Sequence, residues 1–135
     1  MTRTNDSPSR AALWVGRVLS GLIVAFLAFS GGIKLAGHQS VPETMGQLGW
    51  PTSYESSLWI GLMELTIALL YAIPRTAVLG LVLMTALLGG AMATHTRVGS
   101  PLFTHTLFGL YMALFAWGGL WLREPRLRAL LPFRR

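Results

Sequence analysis

The chain has 135 residues, 53% of them hydrophobic and only 12% charged. A soluble domain carries roughly a quarter of charged residues, so lipid is the expected solvent for much of this surface. There is no cysteine, which excludes disulfides, thiolate metal sites and CxxC redox chemistry; the net charge of +6 comes with no nucleic-acid motif and reads as a membrane orientation signal, with no nucleic-acid partner.

Residues 1–11 are polar and read as a short flexible tail. A four-span membrane domain is expected over 12–122, with spans at about 12–36, 57–73, 76–96 and 101–122. The first span ends in FSGGIKLAG, where Ser30, Gly31 and Gly32 allow another helix to approach closely. Lys34 follows Ser30 at i+4, so both share a helix face. Lys34 either snorkels to the membrane surface or turns inward as a counter-charge.

The longest connection, 37–56, contains Pro42, Pro51, Gly46 and Gly49, which argue against a continuous helix. A short amphipathic turn starting at Pro42 is expected there, dipping Leu48 and Trp50 into the interface as a candidate lid. The second span places Glu64 in an apolar run, where a carboxylate has to be paired, neutral or functional. Pro74, Arg75 and Thr76 form a tight turn into the third span, which carries Gly89 and Gly90 as a close-packing patch and His95 at its far end. Pro101 opens the fourth span, with His105 near its start and Trp117 and Trp121 suited to an interface belt. The basic tail, 123–135, is expected to lie on the lipid surface with Leu127, Leu130, Leu131 and Phe133 inserted.

Arginine placement sets the expected orientation. With both termini cytoplasmic, Arg3, Arg10, Arg17, Arg75, Arg123, Arg126, Arg128, Arg134 and Arg135 are inside, nine of the eleven Lys and Arg residues. Only Lys34 and Arg97 are outside, which fits the positive-inside rule. The fold class is therefore all-α, a four-transmembrane-helix bundle in a bacterial-type cytoplasmic (inner) membrane.

This topology puts Lys34, Glu64, His95 and His105 in the outer half, each from a different span. Glu64 lies seven residues below Ser57, roughly 10 Å at helical rise. The four residues are the candidate catalytic site. A buried carboxylate, imidazole and amine can exchange protons near neutral pH. A simpler reading is a structural Lys34–Glu64 pair joining two helices. Glu64, His95 and His105 match a two-histidine, one-carboxylate metal set in type, but they come from three helices without close spacing, and no metal is expected. An apolar wall for a small-molecule pocket is expected from Phe26, Phe29, Trp59, Met63, Met92, Phe103, Phe108 and Met112.

FSGGIKLAG, GLMEL, AIPR, the LGWP of the loop and the histidine ending span three together resemble the DoxX-like family of small membrane proteins. The resemblance covers residues 14–121 and implies a four-helix membrane bundle. It implies that Lys34, Glu64 and His95 are family-typical positions and supports His105 less securely; the basic tail is not something the family pattern predicts. It further implies sulfur- or quinone-linked oxidation, or redox homeostasis beside a soluble redox partner. The expected function is thus a redox-associated or quinone-linked subunit holding a small lipophilic ligand, with a quinone as the candidate cofactor. The alternatives are a stand-alone acid–base isomerase or cyclase on a lipophilic substrate, and a non-catalytic binding or assembly protein. Homo-oligomerisation stays open.

Overall fold

The computed structural model describes residues 7–130. Among them are six α-helices: α1 (Arg10–Leu35), α2 (Ser40–Gln47), α3 (Tyr54–Ala72), α4 (Ala77–Arg97), α5 (Phe108–Arg123) and α6 (Pro125–Leu130). A five-residue π-helical turn, Leu102–Thr106, precedes α5. Four segments are long and apolar enough to cross a membrane: α1, α3, α4 and the π turn with α5. Arg3, Leu131, Phe133, Arg134 and Arg135, placed from the sequence above, lie outside the described residues.

α1 packs against α3 and α5, and α4 packs against the same two helices. The four therefore stand as a square with α1 and α4 on one diagonal. Side chains such as Ile23, Leu27, Ile67, Leu81, Met84 and Leu120 fill its centre. α4 buries residues between Ala77 and Leu88 but none beyond, so its outer third lies off the core. Large apolar side chains also cover the outside, among them Phe29 at 69% exposure and Trp59 at 67%. Such exposure is costly in water but suits a lipid-facing surface.

Local chemistry sets the ends. Ser9 caps α1 by accepting from the Ala12 amide at 3.1 Å, so the helix starts at Arg10, two residues ahead of the expected start. Three helices close on a left-handed glycine, Gly37, Gly49 and Gly99, after α1, α2 and α4. At α4 the Gly99 amide donates to the Thr96 carbonyl and the Ser100 amide to the His95 carbonyl, which satisfies two end carbonyls. The α3–α4 turn is tight enough that a Cβ on Gly80 would lie 2.3 Å from the Tyr71 amide nitrogen.

The amphipathic segment of the long connection is real and starts earlier than expected: α2 begins at Ser40, with Pro42 its third residue. Proline is tolerated there because amides in the first turn have no intrahelical acceptor. Val41 and Met45 are its buried residues, whereas Trp50 is exposed. Arg97, at the end of α4, donates to the Leu48 carbonyl at 2.8 Å and latches this segment over the bundle end.

Several packing expectations are corrected. Cβ atoms built on Gly89 and Gly90 meet nothing within 4 Å, so this pair does not pack a neighbouring helix. Gly109 does instead, against Met92 and the Leu88 carbonyl. Trp117 is partly buried against the core, and its indole donates to the exposed Thr85 at 2.9 Å. Leu127 is buried in the core, because α6 folds back under α5, while Leu130 stays exposed. Arg128 fixes that fold-back by donating to the Trp121 carbonyl at 2.7 Å and to the Leu122 carbonyl.

Candidate functional site

The four candidate residues gather as two pairs in the half of the bundle opposite the described termini. Lys34 and Glu64 join α1 to α3. Gly31 and Gly61 bring these helices into backbone contact: a Cβ on Gly61 would lie 2.9 Å from the Gly31 carbonyl, and one on Gly31 2.9 Å from the Gly61 carbonyl. Gly32 faces open space, so only Gly31 of the expected SGG patch makes this approach. The close crossing carries Lys34 over Glu64. Its ammonium donates to Oε1 at 3.1 Å, Oε2 at 3.0 Å and the Ser30 hydroxyl at 2.7 Å. Glu64 is only 8% exposed. Its charge is thus held by a bidentate counter-charge, and Lys34 turns inward instead of snorkelling.

His95 and His105 join α4 to the π turn, on the opposite side of the square. Their rings meet edge to face with centroids 5.8 Å apart. The turn at Gly99 returns the chain so that the Ser100 hydroxyl lies 2.9 Å from His95 Nδ1. Thr104 similarly lies 2.8 Å from His105 Nδ1. The π turn shifts the ladder by one residue, with the Thr106 amide reaching the Pro101 carbonyl and the Leu107 amide the Leu102 carbonyl. Such insertions recur at functional sites because they re-aim side chains. Both rings use Nδ1 locally, and among the described residues neither Nε2 has a protein partner.

No hydrogen bond, ion pair or ring contact joins the two pairs among the described residues. No three His, Asp or Glu side chains converge there as a metal set. The apolar wall is also redistributed. Phe103 is 71% exposed, and Phe29, Trp59 and Met63 face outward too. Phe26 and Phe108 meet edge to face at 5.3 Å, filling the α1–α5 side. His38 is exposed and bonds the Ser40 hydroxyl at 2.8 Å at the start of α2.

A third polar group, at the opposite end, escaped the sequence reading. The buried Tyr71 hydroxyl donates to the Ala116 carbonyl at 2.7 Å and lies 3.0 Å from the Ser20 hydroxyl. Arg123 donates to Ser20 at 3.1 Å and to the Tyr71 carbonyl at 3.4 Å, with its guanidinium 5.4 Å from the Tyr71 ring centre. Gly16 and Gly119 let α1 and α5 close around it, a Cβ on Gly16 falling 2.8 Å from the Gly119 carbonyl. The signal was present in the sequence: a tyrosine in an apolar span needs a partner for its hydroxyl.

Comparison with curated proteins and with solved structures returned no match. A family model does match, that of the DoxX-like family, over residues 18–119. This is 102 of 135 residues (119 − 18 + 1) and takes in Lys34, Glu64, His95, His105 and most of all four spans. With its four apolar helices, the chain is a multi-pass membrane protein and belongs to the DoxX-like family.

Proposed function

We propose that this protein is a redox-associated membrane subunit that binds a small lipophilic molecule of quinone type at the outer end of the α4–α5 hairpin. The observation that carries the reading is the pairing of His95 with His105, each held through Nδ1 by a hydroxyl and each with Nε2 unengaged. Two imidazoles so held accept or donate a proton at Nε2, which suits a carbonyl oxygen that becomes a hydroxyl. A ligand of this class supplies two-electron, two-proton chemistry, and the electrons come from a redox partner. The outer third of α4 stands off the core, and Leu102 and Phe103 beside His105 are exposed, so a molecule dissolved in lipid reaches the rings from the side. Lys34 and Glu64 act in this reading as the fixed pair that sets the outer ends of α1 and α3. An acid–base enzyme using Glu64 needs the carboxylate released from Lys34, whereas both of its oxygens are engaged.

The test is a titration of the detergent-solubilised protein with a short-chain quinone, followed by tryptophan fluorescence. Saturable quenching is expected, weakened about tenfold or more by His95→Ala or His105→Ala, as for the loss of one buried hydrogen bond. Quenching no different from that of tryptophan in empty micelles, or unchanged in both variants, overturns the proposal.

A further inference from the structure

The Tyr71 network opens onto a cleft that the reading above does not use. It is an open groove of about 220 Å³, lined by Arg17, Ser20, Gly21 and Val24 of α1, Ala72 of α3 and Arg123 of α5. Gly21 leaves one wall open: a Cβ placed there meets nothing within 4 Å. Arg17 lies seven residues into α1, about 10 Å from its start, a depth from which a long side chain reaches the lipid phosphates.

Two arginines line the cleft and, among the described residues, no carboxylate does. Among the described residues the one ion pair is Lys34–Glu64, at the other end of the bundle. Arg17 is exposed, with its guanidinium over the Trp14 ring 5.7 Å away. The neighbouring Glu124 accepts from the Arg126 amide at 3.2 Å. Arg123 is oriented from behind by a directed chain. Tyr71 gives its proton to the Ala116 carbonyl, so Ser20 gives its own to Tyr71 and accepts from Arg123 Nε. Ser20 is therefore spent as a donor and serves as a positioning residue. The two bonds of Arg123 use two of its five N–H groups, leaving three for an external acceptor. Two guanidinium groups held near a low-dielectric surface repel each other and favour an anion between them. Arginine forks match phosphate oxygens, and the remaining wall, Gly21, Val24 and Ala72, is apolar.

We propose that this cleft is a binding site for an anionic phospholipid of the leaflet at the termini end. Its phosphate lies between Arg17 and Arg123, and its upper acyl chain runs against Gly21, Val24 and Ala72. A free phosphate presents the same oxygens but nothing for the apolar wall, so the lipid is the occupant.

The experiment measures lipid retention by native mass spectrometry, together with the melting temperature, for the full chain in detergent. The additions are phosphatidylglycerol, phosphatidylcholine or inorganic phosphate. The expected result is one phosphatidylglycerol retained in preference to phosphatidylcholine, with a higher melting temperature. Arg17→Gln weakens that binding about tenfold, the order expected for one charge-assisted hydrogen bond. Gly21→Leu fills the cleft without touching the charges and also removes the preference. Both positions are exposed, and unchanged melting in phosphatidylcholine verifies that the variants fold. Arg75→Gln, in the exposed α3–α4 turn, leaves the preference in place. Equal retention of the two lipids overturns the proposal, as does an equal shift with inorganic phosphate. So does an Arg75→Gln effect as large as that of Arg17→Gln, which reports general attraction between the basic end and anionic lipid.

Discussion

A charged side chain in an apolar span announces itself because hydrocarbon gives it no partner. Lys34 and Glu64 were legible in the sequence for that reason, and the structure joins them at 3.0 Å. His95 and His105 were legible as residues at a common depth. Their separation from the carboxylate was not, because depth along a helix says nothing about which side of a square each helix occupies. The Lys34–Glu64 pair makes a quantitative prediction. Removing one partner strands the other charge, so Lys34→Met or Glu64→Gln alone is expected to cost about 3 kcal/mol or more. The double variant is expected to lose less than either single one, as measured by thermal or denaturant unfolding in detergent. Additive losses in that cycle would falsify a direct pair.

At the scale of helices, span limits were read within a few residues, since span length is fixed by bilayer thickness. Which face of each span looks inward was not legible. Core and lipid are equally apolar, so the hydrophobic periodicity that orients a helix in water is weak here. Gly89 and Gly90 read as a packing patch on their small size alone, yet they face outward, while Gly61, isolated within α3, makes the tightest α1–α3 approach. The contrast is testable. A Cβ on Gly61 would meet Leu35 Cδ1 at 2.6 Å and the Gly31 carbonyl at 2.9 Å, so Gly61→Ala is expected to destabilise by about 1–3 kcal/mol and to loosen the ion pair beside it. Gly32→Ala and Gly89→Ala meet nothing and are expected to be neutral or to stabilise by up to about 1 kcal/mol through helix propensity. Equal losses at Gly61 and Gly89 in a thermal melt contradict the helix phases described.

For the whole molecule, basic residues are divided unequally between the two ends of the bundle. Among the described residues, Arg10, Arg17, Arg75, Arg123, Arg126 and Arg128 lie at the end carrying both termini, and Lys34 and Arg97 at the other. We infer from this asymmetry that the termini are cytoplasmic. A reporter active only in the cytoplasm is expected to work when fused after Arg135, and activity there of one that needs the opposite compartment inverts the assignment. The histidine pair then faces outward beneath the α2 segment latched by Arg97. The most direct test of that site is mass spectrometry of an organic extract from the purified protein. The account predicts that a quinone-type molecule co-purifies with the native chain in near-stoichiometric amount. It predicts loss of that molecule from His95→Ala and His105→Ala, with retention in the paired Lys34→Met, Glu64→Gln variant. An extract holding only bilayer phospholipid, or a ligand retained in both histidine variants, contradicts it.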